Sequence, residues 1–219
     1  MTLSPEQIQV LFDFTKKKYV HFYDLQSEIA DHLAAAIEDR ISENRKLSFE
    51  QALEEVYSGF GIFGFAHVVR EKEKQIDKQA KRMLWKETVL LFTWPHLLFS
   101  FLVLVSLYTF TQLFSMKIVL ITTLVFSLFL WTIYLWRVFK SPKPGKALMM
   151  LNYYQPGFAI APYFYSQFYL NFNTVSSGFF ISFTFFSIIY LVASYRVNAK
   201  IKSNAMALYP EAFAPKVSD

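Results

Sequence analysis

The sequence predicts an all-α fold, a small cytosolic helical domain followed by a four-helix transmembrane bundle built as two helical hairpins, and three observations predict it. First, no charged residue occurs over 27 positions from Thr88 to Phe114, nor, after Ser115-Met116-Lys117, over 19 positions from Ile118 to Trp136. Second, the front half has helical periodicity: Leu25, Ile29, Leu33, Ile37 and Ile41 recur every four residues. Third, charge is segregated. Residues 1–87 hold 15 of the 17 acidic and 13 of the 22 basic residues, and no Asp or Glu lies between Glu87 and Glu211. With 54% apolar and 18% charged residues, intrinsic disorder is excluded, and the lack of cysteine excludes disulfides, thiolate zinc sites and Cys nucleophiles.

The elements follow in order. Met1-Thr2-Leu3-Ser4 has no basic stretch ahead of an apolar run, so no secretory signal is expected and the start should stay in the mature protein. Ser4 caps a helix to about Lys18, with Pro5 at its first position and Gln7 where a capping box needs it. A second helix starts near Asp24 and turns Glu28, Asp31, Arg40 and Glu43 outward. Ser48 and Gln51 repeat the start signal for a short third helix, which ends at the glycine-rich Gly59-Phe60-Gly61-Ile62-Phe63-Gly64. Leu33, Ile37, Leu53, Val56 and Phe60 are the expected core of this domain, residues 1–64. A basic amphipathic connecting helix over 65–87 carries Arg70, Lys72, Lys74, Lys78, Lys81, Arg82 and Lys86. It reads as a solvated face with anionic lipid headgroups as a natural further partner.

Four transmembrane helices are expected at about 88–114, 118–136, 147–170 and 175–195, each long enough for a hydrocarbon core of about 30 Å. The second carries 12 Leu, Ile, Val or Phe residues, which favours insertion by roughly 4 to 7 kcal/mol before polar costs. Orientation follows from the basic flanks. Seven cations precede span one, Arg137, Lys140, Lys143 and Lys146 lie between spans two and three, and Arg196, Lys200 and Lys202 follow span four, whereas the opposite turns share only Lys117. The expectation is a multi-pass protein of the bacterial inner membrane with both termini, including the tail 196–219, in the cytoplasm.

Span three is the least ordinary. Asn152, Gln155, Ala159, Tyr163 and Ser166 fall on one helical face with Gln167 at its edge, and Pro156 and Pro162 suggest a kink. Two readings stand: a groove for a small molecule, lipid or ion, or the plainer one of interhelical hydrogen bonds. His96, sharing a face with Ser100, raises a proton-relay or ligand role beside the simpler one of a polar contact. Gly178 and Ser182 form a small-residue packing surface. In the soluble domain Glu28, Asp31 and His32 cluster on one helix; the other histidines lack ligand spacing, so this is an acidic surface for interaction and no metal or cofactor is expected. No phosphate loop, GxSxG, HExxH or intramembrane carboxylate pair is present. Neither catalysis nor a nucleic-acid partner is expected.

Glu28-Ile29-Ala30-Asp31-His32-Leu33, Ser48-Phe49-Glu50-Gln51-Ala52-Leu53 and Phe60-Gly61 together resemble the HAAS-type helical domain that precedes transmembrane helices in bacterial membrane proteins. The wording is most similar to multi-pass proteins of unknown function from Bacteroidota, over about residues 20 to 65. The usual Gly-Asp-Pro type of turn is replaced here by Gly61-Ile62-Phe63-Gly64-Phe65. Such domains are often encoded beside PadR-type regulators. The resemblance implies a regulatory or scaffolding module that binds a protein partner or a second copy, and it carries no catalytic residues.

Overall fold

The computed structural model describes residues 3–61, 63–140, 144–152, 166–171 and 176–214, without the side chains of 134, 135 and 137–139. Helix is the only regular secondary structure among them: α1 Pro5–Lys17, α2 Tyr23–Glu43, α3 Phe49–Ser58, α4 Ala66–Leu90, α5 His96–Leu113, α6 Met116–Lys140, α7 Met149–Asn152, a stretch over 166–170, α8 Ser177–Leu208 and α9 Pro210–Phe213. Three of these, His96–Leu113, Met116–Ile133 within α6, and α8, are long and apolar enough to cross a membrane.

Both capping boxes form. The Gln7 N–H donates to Ser4 Oγ at 3.3 Å while the Ser4 N–H donates to Gln7 Oε1 at 2.8 Å, and Ser48 with Gln51 repeats the arrangement at 3.2 and 3.0 Å. Each pair satisfies two backbone donors that a helix start leaves open.

The chain forms two compact units. The first comprises Met1–Gln79, Lys143–Tyr154 and Ile201–Asp219; the second comprises Ala80–Pro142 and Gln155–Lys200. In the first, α2 packs against α1 and α3 around Leu11, Leu25, Ile29, Leu33, Ile37 and Leu53. Val56 and Phe60 lie half-buried against that core. Met149, 0% exposed, belongs to the same core although it comes from beyond α6. The loop and tail segments are therefore part of the helical module rather than separate from it.

In the second unit, Leu91 packs with Phe185, Ile189 and Ala193, flanked by Leu84, Val103 and Leu107. A further cluster joins Val119, Leu120 and Phe180 with Phe110 and Phe168. The end of α5, the start of α6, residue 168 and the start of α8 thus meet at one place. Among the described apolar helices α8 is the most buried, with Phe180, Ile189, Ala193 and Val197 enclosed.

Two expected boundaries are corrected, and a third lies largely outside the described residues. The helix expected from Thr88 to Phe114 is interrupted: α4 continues to Leu90, residues 91–95 form turns, and α5 starts at His96. Pro95 lacks an N–H and disfavours helix at Trp94, so the break falls where the sequence imposes it. Ser100 Oγ then donates to the freed Leu91 carbonyl at 2.7 Å. The helix expected to stop at Tyr195 runs to Leu208, because Arg196, Lys200 and Lys202 lie within a sequence free of helix breakers. The expected third span, Ala147–Leu170, is helical at Met149–Asn152 and over 166–170; residues 153–165 lie outside the described residues.

Candidate functional site

Two polar constructions stand out, one in each unit. In the first unit the centre is Asp24. α2 has Phe22 at its N-cap and no side-chain cap bond, which leaves the Asp24 carboxylate of its first turn available for partners distant in sequence. Asp24 Oδ1 accepts the Met149 N–H at 2.9 Å, Oδ2 accepts the Met150 N–H at 3.2 Å, and Oδ1 also accepts the Leu25 N–H at 3.1 Å. Asp24 therefore supplies the acceptors that α7 lacks at its start, and it is 7% exposed.

Neighbouring contacts lock the same joint. The Tyr23 N–H donates to the Ala147 carbonyl at 2.8 Å, and the Gly145 N–H to the Ala212 carbonyl at 2.7 Å. Lys146 Nζ lies 3.7 Å above the Tyr23 ring, which itself stacks with Phe12 at 5.8 Å and meets Tyr209 edge-on at 6.3 Å. Leu148, Ala205 and Ala212 form the apolar filling. Burial raises the Tyr23 hydroxyl above its ordinary ionisation range, helped by the charge of Glu211 and a hydrogen bond to it. Tyr209 is raised likewise, by burial first and then by Asp24, Glu28, Glu211 and Asp31. The segment after α6 and the C-terminal segment are thus fastened to α2 by one carboxylate and an aromatic–cation layer.

In the second unit the centre is Glu87, on the last turn of α4. Its side chain is 8% exposed and is shared between Lys200 Nζ, which donates to Oε1, and Arg196 Nη1, 3.8 Å from Oε2. Arg196 and Lys200 are four apart on α8, so one helix face presents both cations. Close by in sequence, His96 Nδ1 is buried without a hydrogen-bond partner among the described residues, as are Thr184 Oγ1 and Ser194 Oγ.

The predicted site residues divide. Gln155, Ala159 and Tyr163 lie outside the described residues. Asn152 is exposed at the end of α7 in the first unit, whereas Ser166, Gln167 and His96 belong to the second and are half-buried. Asp31 and His32 are exposed on α2, but Glu28 is committed to Lys72 of α4. Glu28, Asp31 and His32 therefore do not present three equivalent surface groups. Gly178 faces open space among the described residues. Among the described residues no three His, Cys, Asp or Glu side chains converge as a metal site would need.

Sequence reasoning missed Asp24 and Glu87. Glu87 carried a signal, being the last carboxylate before 123 positions without one. Asp24 carried none, since its partners are backbone N–H groups more than 120 residues away. Comparison with family models, curated proteins and solved structures finds no match for this chain.

Proposed function

We propose that the protein is a non-enzymatic, multi-pass inner-membrane protein with a regulatory or scaffolding role, whose cytosolic helical module binds another protein. In this reading both termini are cytoplasmic and the third span completes a four-helix bundle of two hairpins. The observation that carries it is the Asp24 joint. A module that only needed tethering could hang on α4 alone; here a buried carboxylate fixes the segment between two apolar regions directly to α2. Docking at the module is thereby coupled to the chain leading into the apolar helices.

The meeting of Phe110, Val119, Phe168 and Phe180 supports the hairpin arrangement, since two hairpins with their turns at one end bring these positions together. Asp31 and His32, exposed beside the Glu28–Lys72 pair, are the first residues to alter on the interaction face, which also carries the HAAS-type resemblance. The test is affinity purification of the full-length protein from gently solubilised membranes, in parallel with Asp31→Lys/His32→Glu. A partner or second copy retained by the parent and lost from the variant supports the reading. A lone monomer in both samples removes its basis.

A second reading is a groove for a small molecule, lipid or ion along the third span, favoured by the unpartnered His96 Nδ1. It requires native lipid or ligand to co-purify with the protein and to be lost on His96→Ala.

A further inference from the structure

Two large aromatic side chains of the helical module contribute nothing to its core. Tyr19 is 81% exposed and Phe63 is 78% exposed, each on a tight turn. The turns share one end of the module through Tyr57. Lys18 Nζ sits 4.4 Å above the Tyr57 ring, and a Cβ on Gly64 would lie 2.6 Å from the Tyr57 hydroxyl. Beneath them Phe14, Tyr57, Phe60 and Phe65 pack edge to face. The fold has thus buried one aromatic set and held the other out.

Tyr19 is also in the wrong conformation for its residue type. Its φ is 66°, at the position after α1 where the Tyr19 N–H bonds to Lys16 O and the Val20 N–H to Thr15 O. Glycine or asparagine fills such a position without strain. A tyrosine there, 81% exposed, gains little burial in exchange, and strain kept without a folding reason points to a use outside the fold.

The surroundings define what the surface meets. From Phe14 to Tyr23 and from Val56 to Arg70 the chain has no Asp or Glu, and these stretches carry Lys16, Lys17, Lys18, His21, His67 and Arg70. An exposed tyrosine preceded by Lys16, Lys17 and Lys18 matches a bilayer interface, where rings sit at headgroup depth and lysines reach to phosphate.

We infer that the Tyr19–Phe63 end of the helical module docks on an anionic bilayer surface, the two rings entering the interface and Lys16 and Lys17 pairing with lipid phosphates. This rests on the reading of α5, α6 and α8 as lipid-embedded and adds a second, peripheral membrane contact.

The chain has no cysteine, so Tyr19→Cys, Phe63→Cys and, as a control on α2, Asp39→Cys each accept one environment-sensitive nitrobenzoxadiazole label. The full-length protein is reconstituted into nanodiscs of phosphatidylcholine with or without phosphatidylglycerol. Blue-shifted emission at 19 and 63 but not at 39, in the anionic discs and reversed by salt, is the expected result. With the label at 63, Lys16→Gln and Lys17→Gln each lower the docked-to-undocked ratio about fivefold. Tyr19→Gly also lowers it while keeping or raising the melting temperature, which separates lost docking from lost folding. Aqueous emission at 19 and 63 in both kinds of disc overturns the inference, as does a shift that arises only on adding soluble protein. Failure to reconstitute at all would instead strike the membrane reading beneath it.

Discussion

Asp24 shows how much one side chain can hold. Its carboxylate accepts three backbone N–H groups, two of them from α7, and hydrogen bonds to a charged group contribute more than neutral ones. Asp24→Ala should therefore destabilise the protein by about 2 to 3 kcal/mol, whereas Asp24→Asn, which keeps one acceptor oxygen, should cost about 1 kcal/mol. Denaturant unfolding in detergent measures both, and faster proteolysis around Gly145 in the alanine variant locates the loss at the joint. Tyr23 and Tyr209 make a pH test of the same place. Both have ionisation constants raised above the ordinary value near 10. The unfolded chain therefore releases these protons first as pH climbs, so stability is intact below pH 10 and falls above it. Tyr209→Phe should flatten that alkaline decline in melting temperature, and an unchanged slope would show that the tyrosines are not the cause. Local chemistry was legible in the sequence: Ser4 with Gln7 and Ser48 with Gln51 need only neighbours three residues away. Asp24 was not, because its partners are fixed by the tertiary fold.

At the scale of elements, the junction between α4 and α8 depends on Glu87. The carboxylate is nearly buried, but Arg196 is 33% and Lys200 58% exposed, so removing the acid leaves cations that water can still reach. Glu87→Gln should then cost about 1 to 3 kcal/mol, short of the 3 to 5 expected for a fully enclosed pair. The decisive measurement is a double-mutant cycle. Glu87→Lys should be far worse than Glu87→Gln, and adding Lys200→Glu should recover part of the loss; absence of coupling would reduce the pair to a surface contact. The break before α5 was also open to sequence reasoning, because Pro95 disfavours helix at Trp94, yet the uncharged run drew one helix across it. Lack of charge marks what lipid tolerates, and it does not mark where a helix begins. The extension of α8 past Tyr195 makes the same point in reverse, since cations end a membrane span without ending a helix.

At the scale of the whole molecule, helix length and charge fix a depth scale. α8 has 32 residues, about 48 Å at 1.5 Å per residue, whereas a hydrocarbon core of about 30 Å takes about 20. Counting 20 from Ser177 reaches Arg196, the first cation of α8 and a partner of Glu87. In the membrane reading the Glu87–Arg196–Lys200 cluster would then stand where the core ends, with the exposed rings of Trp85 and Trp94 beside it in sequence, as aromatic residues cluster at such boundaries. The opposite boundary falls at Ser115-Met116-Lys117, between α5 and α6. In the proposed topology, where cations are retained on the side of synthesis, the Glu87 end is cytoplasmic and Ser115 faces outward. A cysteine-free chain allows a direct check. Ser115→Cys should react with a membrane-impermeant maleimide on spheroplasts, and Ser203→Cys, seven residues beyond Arg196, only after lysis. Adding lysines at 115 and 116 should weaken that preference, because the outward turn would then compete with the basic loop after α6 for retention. The reverse labelling pattern in the parent chain would invert the topology and place the Asp24 joint, with everything docked on it, outside the cell.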